Sequence, residues 1–200
     1  MRVLVLFAHP AQRASSINLA MAGIARGVDG LTFVDLYAEY PRFEIDIDRE
    51  QRRLVDHDVI VFQFPIYWYS APSLLKEWQD LVLEFGFAYG PLGKHLTGKA
   101  LLVAATTGGR VTDYAEGGGN NYPVRQFLLP LQQTATLCGM SFLPPFVLHG
   151  ANRIEAPEAQ AHIAAYGGVL RALVRDEIDI ASLAGRDTFN WAGLPLSLGS

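Results

Sequence analysis

Cysteine is nearly missing from this chain: 200 residues carry one, Cys138. That count excludes a disulfide framework and a thiolate metal centre. Cys138 lies in an apolar helical pattern, so it reads as a small buried core thiol. Positive charge is also scarce, with 16 Lys and Arg against 20 Asp and Glu, a net charge of −4 and a pI near 5.7. No basic field is left for nucleic acid. No apolar run approaches the ~20 residues of a membrane-spanning helix, and Arg2 opens a strand rather than a signal peptide, so the expected location is the cytoplasm. Neither G-x-G-x-x-G nor a P-loop occurs, which argues against a dinucleotide-binding or ATP fold of those kinds. Ser70 and Ser73 lack the G-x-S-x-G setting of a nucleophile elbow. His57, His95, His149 and His162 show no metal-ligand spacing. Glu44, Asp46 and Asp48 alternate without the glycine of a calcium loop and read as a solvated approach to a helix.

What is present is an alternation of strand and helix patterns. Half of the residues are hydrophobic, enough for one sizeable core in one domain. Val3 to Ala8 is a continuous apolar run of the kind buried on both faces of a parallel sheet, and Ile17, Ala20, Met21, Ile24 and Val28 follow at helical spacing. Leu31 to Leu36 reads as a second strand. Asp48 with Gln51 reads as a capping box opening a helix that ends near His57. Asp58 to Phe64 is the third strand, and a stripe from Leu74 to Phe85 marks the helix after it. Lys99 to Thr106, a helix from Val124 to Cys138, a strand from Ser141 to Leu148 and a helix striped by Ile163, Tyr166, Leu170, Leu173 and Val174 complete the series. The expected fold is α/β: a doubly wound, flavodoxin-like, five-stranded parallel sheet of order 2-1-3-4-5 with helices on both faces. It occupies residues 1–176. Residues 177–200 form a tail whose Phe189, Trp191, Leu194 and Leu196 are too apolar for water; it either packs on its own domain or lies as an arm on a partner subunit.

In that order the loops after strands one, three and four meet at one sheet edge. The first holds His9, Ser15, Ser16, Ile17 and Asn18 and enters a helix N-terminus, where free N–H groups and the dipole favour an anion such as phosphate; a serine there also serves as an ordinary N-cap. The second runs Pro65-Ile66-Tyr67-Trp68-Tyr69-Ser70, a shelf of aromatics bracketed by Pro65 and Pro72 and suited to a flat ring. The third holds Thr106, Thr107, Gly108 and Gly109, then Tyr114, with more glycines beyond; it either brings backbone amides close to a ligand or is an accommodating surface loop.

Taken together, Ala8-His9-Pro10, Asp46-Ile47-Asp48, Phe64-Pro65-Ile66-Tyr67-Trp68-Tyr69-Ser70, Trp78, Ala88-Tyr89-Gly90, Leu96-Thr97-Gly98-Lys99, Thr106-Thr107-Gly108-Gly109 and Leu143-Pro144-Pro145-Phe146 resemble the flavodoxin-like NAD(P)H quinone oxidoreductases. The likeness is strongest to the branch that contains ancillary subunits of glutathione-regulated potassium-efflux antiporters. The resemblance implies FMN, with its phosphate at His9, Ser15, Ser16, Ile17 and Asn18, its ring edge along Pro65 to Tyr69, and its pyrimidine end at Thr106 to Gly109. It also implies NADH or NADPH and a quinone or similar aromatic acceptor taking turns at one pocket, with two-electron hydride transfer. Tyr114 and Trp68 take the catalytic positions. Some relatives carry a histidine a few residues after that tyrosine, where this chain has Gly117-Gly118-Gly119-Asn120-Asn121. A homodimer is implied, and two further roles stand as alternatives: regulatory subunit of a potassium/proton antiporter, peripheral at the inner membrane through that partner, or a flavodoxin-type electron carrier. Phe85 fits either the core side of its helix stripe or the wall of a dimer interface.

Overall fold

The computed structural model describes residues 1–12, 15–183, 186 and 189. Parallel strands pair in the order β2-β1-β3-β4-β5: β1 is Val3–Phe7, β2 Leu31–Asp35, β3 Val59–Pro65, β4 Ala100–Thr106 and β5 Ser141–Phe142, while β6, Phe146–Leu148, pairs with β4. The helices are α1 (Ile17–Arg26), α2 (Leu36–Glu39), α3 (Ile47–Asp56), α4 (Ser73–Val82), α5 (Val124–Phe127), α6 (Leu129–Leu137) and α7 (Ala156–Val174). Alternate residues of each central strand feed opposite faces. Val3, Val5, Val59, Val61, Leu102 and Ala104 pack with residues of α1 and α7, whereas Leu4, Leu6, Ile60, Phe62, Leu101 and Val103 pack with Leu54, Leu74, Trp78 and Leu131. No described helix is long and apolar enough to cross a membrane.

Four local expectations change. The fifth strand is two short pieces, because Pro144 and Pro145 have no N–H for the ladder; β5 pairs with Ala100 and Leu101, and β6 with Ala104 to Thr106. The helix from Val124 breaks at Leu128, since Pro130 cannot donate to the carbonyl of Gln126 and crowds it. Asp46, not Asp48, caps α3, accepting from the Arg49 N–H at 3.0 Å. Gln51 instead donates to the Val82 carbonyl and to Glu84, at 3.1 and 2.8 Å. Finally α4 ends at Val82, so Phe85 leaves the helix stripe and is 69% exposed; the core reading of Phe85 is wrong. The short helix α2, capped by Asp35, had no sequence expectation.

Of the tail, Phe189 is buried in the α1/α7 side of the core, and its N–H donates to the Pro145 carbonyl at 3.0 Å. At that residue the chain packs on its own domain. Trp191, Leu194 and Leu196, the rest of the expected arm, lie outside the described residues.

A polar side chain sits in the middle of the central strand. Gln63 is fully buried in β3; its Oε1 accepts from the Tyr166 hydroxyl at 3.0 Å, and its Nε2 donates to the Asn18 carbonyl at 3.0 Å. It ties the middle of the sheet to α7 and to the first turn of α1. Replacing Tyr166 with Phe leaves a buried carbonyl oxygen without that donor, so stability should fall by about 1–3 kcal/mol. Urea unfolding measures it, and an unchanged midpoint would show that the bond contributes nothing.

Candidate active site

Parallel register sets the site. Phe7, Gln63 and Ala104 lie side by side, and Pro65 is opposite Thr106, so the loops leaving β1, β3 and β4 emerge at one edge. They surround a cleft of about 800 Å³. The expected residues His9, Ser15 to Asn18, Pro65 to Tyr69, Thr106 to Gly109 and Tyr114 line it, and Trp68 and Tyr114 face the same space, while Ser70, at the foot of the second loop, does not. Asp113, Gly119, Asn120, Ala151 and Asn152 line it as well, without sequence expectation. The tetrad His149-Gly150-Ala151-Asn152 follows the last strand, and that position at the carboxyl edge was the signal available.

At one end α1 presents an anion site. Its first turn has no acidic residue, and Ser16 occupies the N-cap position without a side-chain capping bond, so its hydroxyl and the first N–H groups have no hydrogen-bond partner among the described residues. Asn18 acts differently from the expected phosphate donor: it is 1% exposed, and its Nδ2 donates to Thr106 Oγ1 at 2.5 Å. That side chain is a strut between α1 and β4, while its backbone stays at the helix mouth. His9 is 2% exposed. The Ala11 N–H donates to its Nδ1 at 3.1 Å, so in the neutral ring the proton sits on Nε2 as a donor. Burial holds the His9 pKa below its ordinary value. Gln12 fixes the loop from outside, donating to both Asp35 oxygens at 3.1 and 2.9 Å.

The aromatic shelf is a two-residue hairpin. Tyr67 and Ser70 exchange both backbone hydrogen bonds at 3.1 Å, and Trp68 and Tyr69 between them have φ of 48° and 64°. Those are the positions of a type I′ turn, where Asn-Gly is the unstrained choice. The Ile66 N–H is spent on the Thr106 carbonyl at 2.8 Å, and the Tyr67 N–H on Ser70. The amides of Trp68 and Tyr69 have no partner among the described residues and remain for a ligand. Trp68 is 93% exposed. Tyr69 stacks on Phe127 at 5.1 Å between ring centroids, and its hydroxyl donates to Asn120 at 3.3 Å. Phe127 also meets Tyr114 and Tyr122 edge-on, joining the shelf to the third loop.

In that third loop the Thr107 N–H is bound to the Leu148 carbonyl at 2.9 Å, whereas the amides of Gly108 and Gly109 have no partner among the described residues. A Cβ added at Gly109 would come within 3.2 Å of side-chain atoms of Asp113, Tyr114 and Asn120, so a larger residue fits only where those side chains give by a few tenths of an ångström. Thr107 Oγ1 donates to the Gly109 carbonyl at 2.8 Å and lies 3.2 Å from His149 Nδ1. With its hydrogen given to Gly109, the hydroxyl accepts from His149, which puts the imidazole proton on Nδ1. The His149 and Tyr114 rings are 5.4 Å apart. Burial pushes the Tyr114 phenol up, with the Thr107 hydroxyl pulling the other way, and pushes His149 down.

A doubly wound sheet with an anion-binding helix mouth, an aromatic shelf and a glycine amide loop around one cleft defines a flavin-binding class of fold. Residues 1–170 match the family described as having a flavodoxin-like fold, and the chain belongs to that family. It is 44% identical over 170 residues, covering 85% of this chain and 93% of the relative, to the glutathione-regulated potassium-efflux system ancillary protein KefG of Serratia proteamaculans. Among solved structures, general stress protein 14 of Treponema denticola in complex with FMN is 36% identical with a TM-score of 0.80, covering 86% of this chain and 99% of that one. A protein from P. pentosaceus, described as an NADPH-quinone reductase, is 27% identical with a TM-score of 0.76, covering 85% and 98%.

Unspent donors at the α1 mouth suit a phosphate, and the four free amides suit the polar edge of a flat ring, so the residues present fit FMN. Two predictions test the local physics. Two consecutive left-handed residues cost about 1–3 kcal/mol each, and the Tyr69–Phe127 stack returns about 0.5–1.5 kcal/mol. Replacing Trp68-Tyr69 by Asn-Gly should therefore stabilise the protein by about 1 kcal/mol or more in urea unfolding; a loss of stability would refute the strain. His9, His149 and His162 are all held below the ordinary 6.5, His162 down to about 4 by burial with His149 adding to it. Below pH 6.5 the unfolded chain then binds more protons than the folded one, so stability falls as pH drops from 6.5 towards 4. His162→Gln should flatten that slope in pH-dependent melting, and an unaltered slope would remove His162 as a source.

Proposed function

We propose that this protein is an FMN-dependent NAD(P)H:quinone oxidoreductase. The observation that carries the reading is the set of unspent donors facing one cleft: the α1 N-terminus with Ser16 at one end, and the amides of Trp68, Tyr69, Gly108 and Gly109 along the sides. FMN bound there supplies two-electron hydride exchange between a nicotinamide and an acceptor. The backbone N–H groups from Ser16 to Asn18, the Ser15 and Ser16 hydroxyls and the His9 Nε2–H hold the phosphate. Pro65 to Tyr69 and Thr106 to Gly109 orient the ring edge, and the glycine amides place positive dipoles where negative charge collects. Tyr67, Trp68 and Tyr69 form the slot in which a nicotinamide and then a planar acceptor stack. Tyr114 keeps its phenol proton at neutral pH, beside the flavin edge. The histidine that some relatives place after this tyrosine is absent from residues 117–121, and His149 stands against Tyr114 from the other side. Thr107 holds the His149 ring in that position through its hydroxyl.

The exposed aromatics Trp68 and Phe85 support a homodimer that covers this edge. Similarity to an efflux-system ancillary protein favours a second role, regulation of a membrane antiporter, with the protein cytoplasmic or peripheral through that partner.

The purified protein should be yellow and should bleach anaerobically on addition of NADH or NADPH, with colour restored by a quinone. Colourless protein that ignores added FMN would overturn the reading. Bleaching without reoxidation by quinones would overturn the acceptor class alone.

A further inference from the structure

A second concavity, of about 390 Å³, backs onto the first and is lined by Arg110, His149, Arg153, Glu158 and His162, with Val111, Val147 and Ile154 as apolar surface. The wall between them is one loop pair thick: the Gly150 N–H donates to the Gly109 carbonyl and the Ala151 N–H to the Thr107 carbonyl, both at 2.8 Å. Gly109 and Asn152 face the first cleft, and the next residue of each loop, Arg110 and Arg153, faces the second. Consecutive Cα atoms are about 3.8 Å apart, so one molecule reaching over the rim touches both spaces.

Neither guanidinium has a carboxylate partner among the described residues, although Arg2, Arg26, Arg49 and Arg53 are all ion-paired and Glu158 lines the same hollow. The Arg110 N–H donates to Asp113 at 2.7 Å, which fixes where that side chain starts. The inner wall also holds an orphan, the buried Nε2 of His162, with no hydrogen-bond partner among the described residues. Two free planar cations beside an apolar lip match a nucleoside carrying a phosphate monoester, which arginine grips through paired N–H groups.

We propose that this second cleft binds a phosphate monoester through Arg110 and Arg153, and that the group it takes is the 2′-phosphate of NADPH. The proposal rests on the reductase reading, which places the nicotinamide in the adjoining cleft. It makes the two arginines the determinant that separates NADPH from NADH. The same chemistry serves a separate phosphorylated small molecule, and the experiment distinguishes the two.

Calorimetric titration of the FMN-loaded protein with adenosine 2′,5′-bisphosphate and with AMP reads the site directly. The bisphosphate should bind more tightly than AMP, and Arg110→Ala with Arg153→Ala should weaken it by about tenfold or more, the scale of losing charge-assisted bonds. In the same variant kcat/KM for NADPH should fall by a like factor, with NADH turnover and FMN content unchanged. Loss of bisphosphate binding with an unchanged NADPH to NADH ratio would keep the phosphate site and overturn NADPH as its source. Equal binding of bisphosphate and AMP, unaffected by the substitutions, would overturn the site. Titration of the flavin-free protein reads the arginines even where no reductase activity exists, so failure of the site and failure of the reductase reading remain separate results.

Discussion

A carboxamide buried in a sheet must meet its hydrogen-bonding capacity inside the protein or destabilise it. Gln63 does so by reaching in two directions, to the Tyr166 hydroxyl on α7 and to the Asn18 carbonyl on α1. Asn18 in turn donates to Thr106 at the end of β4. One network therefore runs from the sheet interior to the helix mouth and on to the first residue of the amide loop. The distance between the two ends of the cleft is set by bonds that no solvent reaches. Everything that makes the cleft useful depends on this, because a phosphate site and a ring-edge site serve one ligand only when their separation is held.

Among the residues that line the cleft, left-handed non-glycine backbone falls on the opposite wall. Trp68 and Tyr69 hold left-handed backbone that other residue pairs adopt more readily. The Tyr67–Ser70 hydrogen bonds, the Tyr69–Phe127 stack and the Tyr69 bond to Asn120 keep the turn closed. Because the Ile66 and Tyr67 amides are already spent, the backbone donors that this loop offers a ligand among the described residues come from the strained pair. Aromatic side chains and available amides are thereby placed on the same two residues, a combination that Asn-Gly cannot provide.

Much of this was legible in the sequence. Alternating apolar runs and helical stripes indicate the sheet order, since the strands buried on both faces carry an uninterrupted signal, and the three loops stood out because aromatics, serines and glycines replace that signal at strand ends. What was hidden depends on long-range placement. Gln63 looks like a blemish in an apolar strand until Tyr166, 103 residues away, is seen against it. His149 had no motif because its relation to Tyr114 arises from the pairing of β4 with β6. The helix break before Pro130 and the cap at Asp46 were readable in principle, but hydrophobic periodicity ran across both.

The interruption at Pro144 and Pro145 has an architectural consequence. β5 grips only the lower end of β4 and β6 only the upper end, so on that side Leu102 and Val103 fall between the two pieces, while β3 pairs with both on the other. The segment carrying His149 to Asn152 is thus registered by its own three pairs and not by the strand below. Such a joint is a natural splice point: residues added or removed within it leave the upper register untouched. A lineage is free to exchange the wall between the two clefts, and so the ligands they admit, while inheriting the rest of the sheet unchanged.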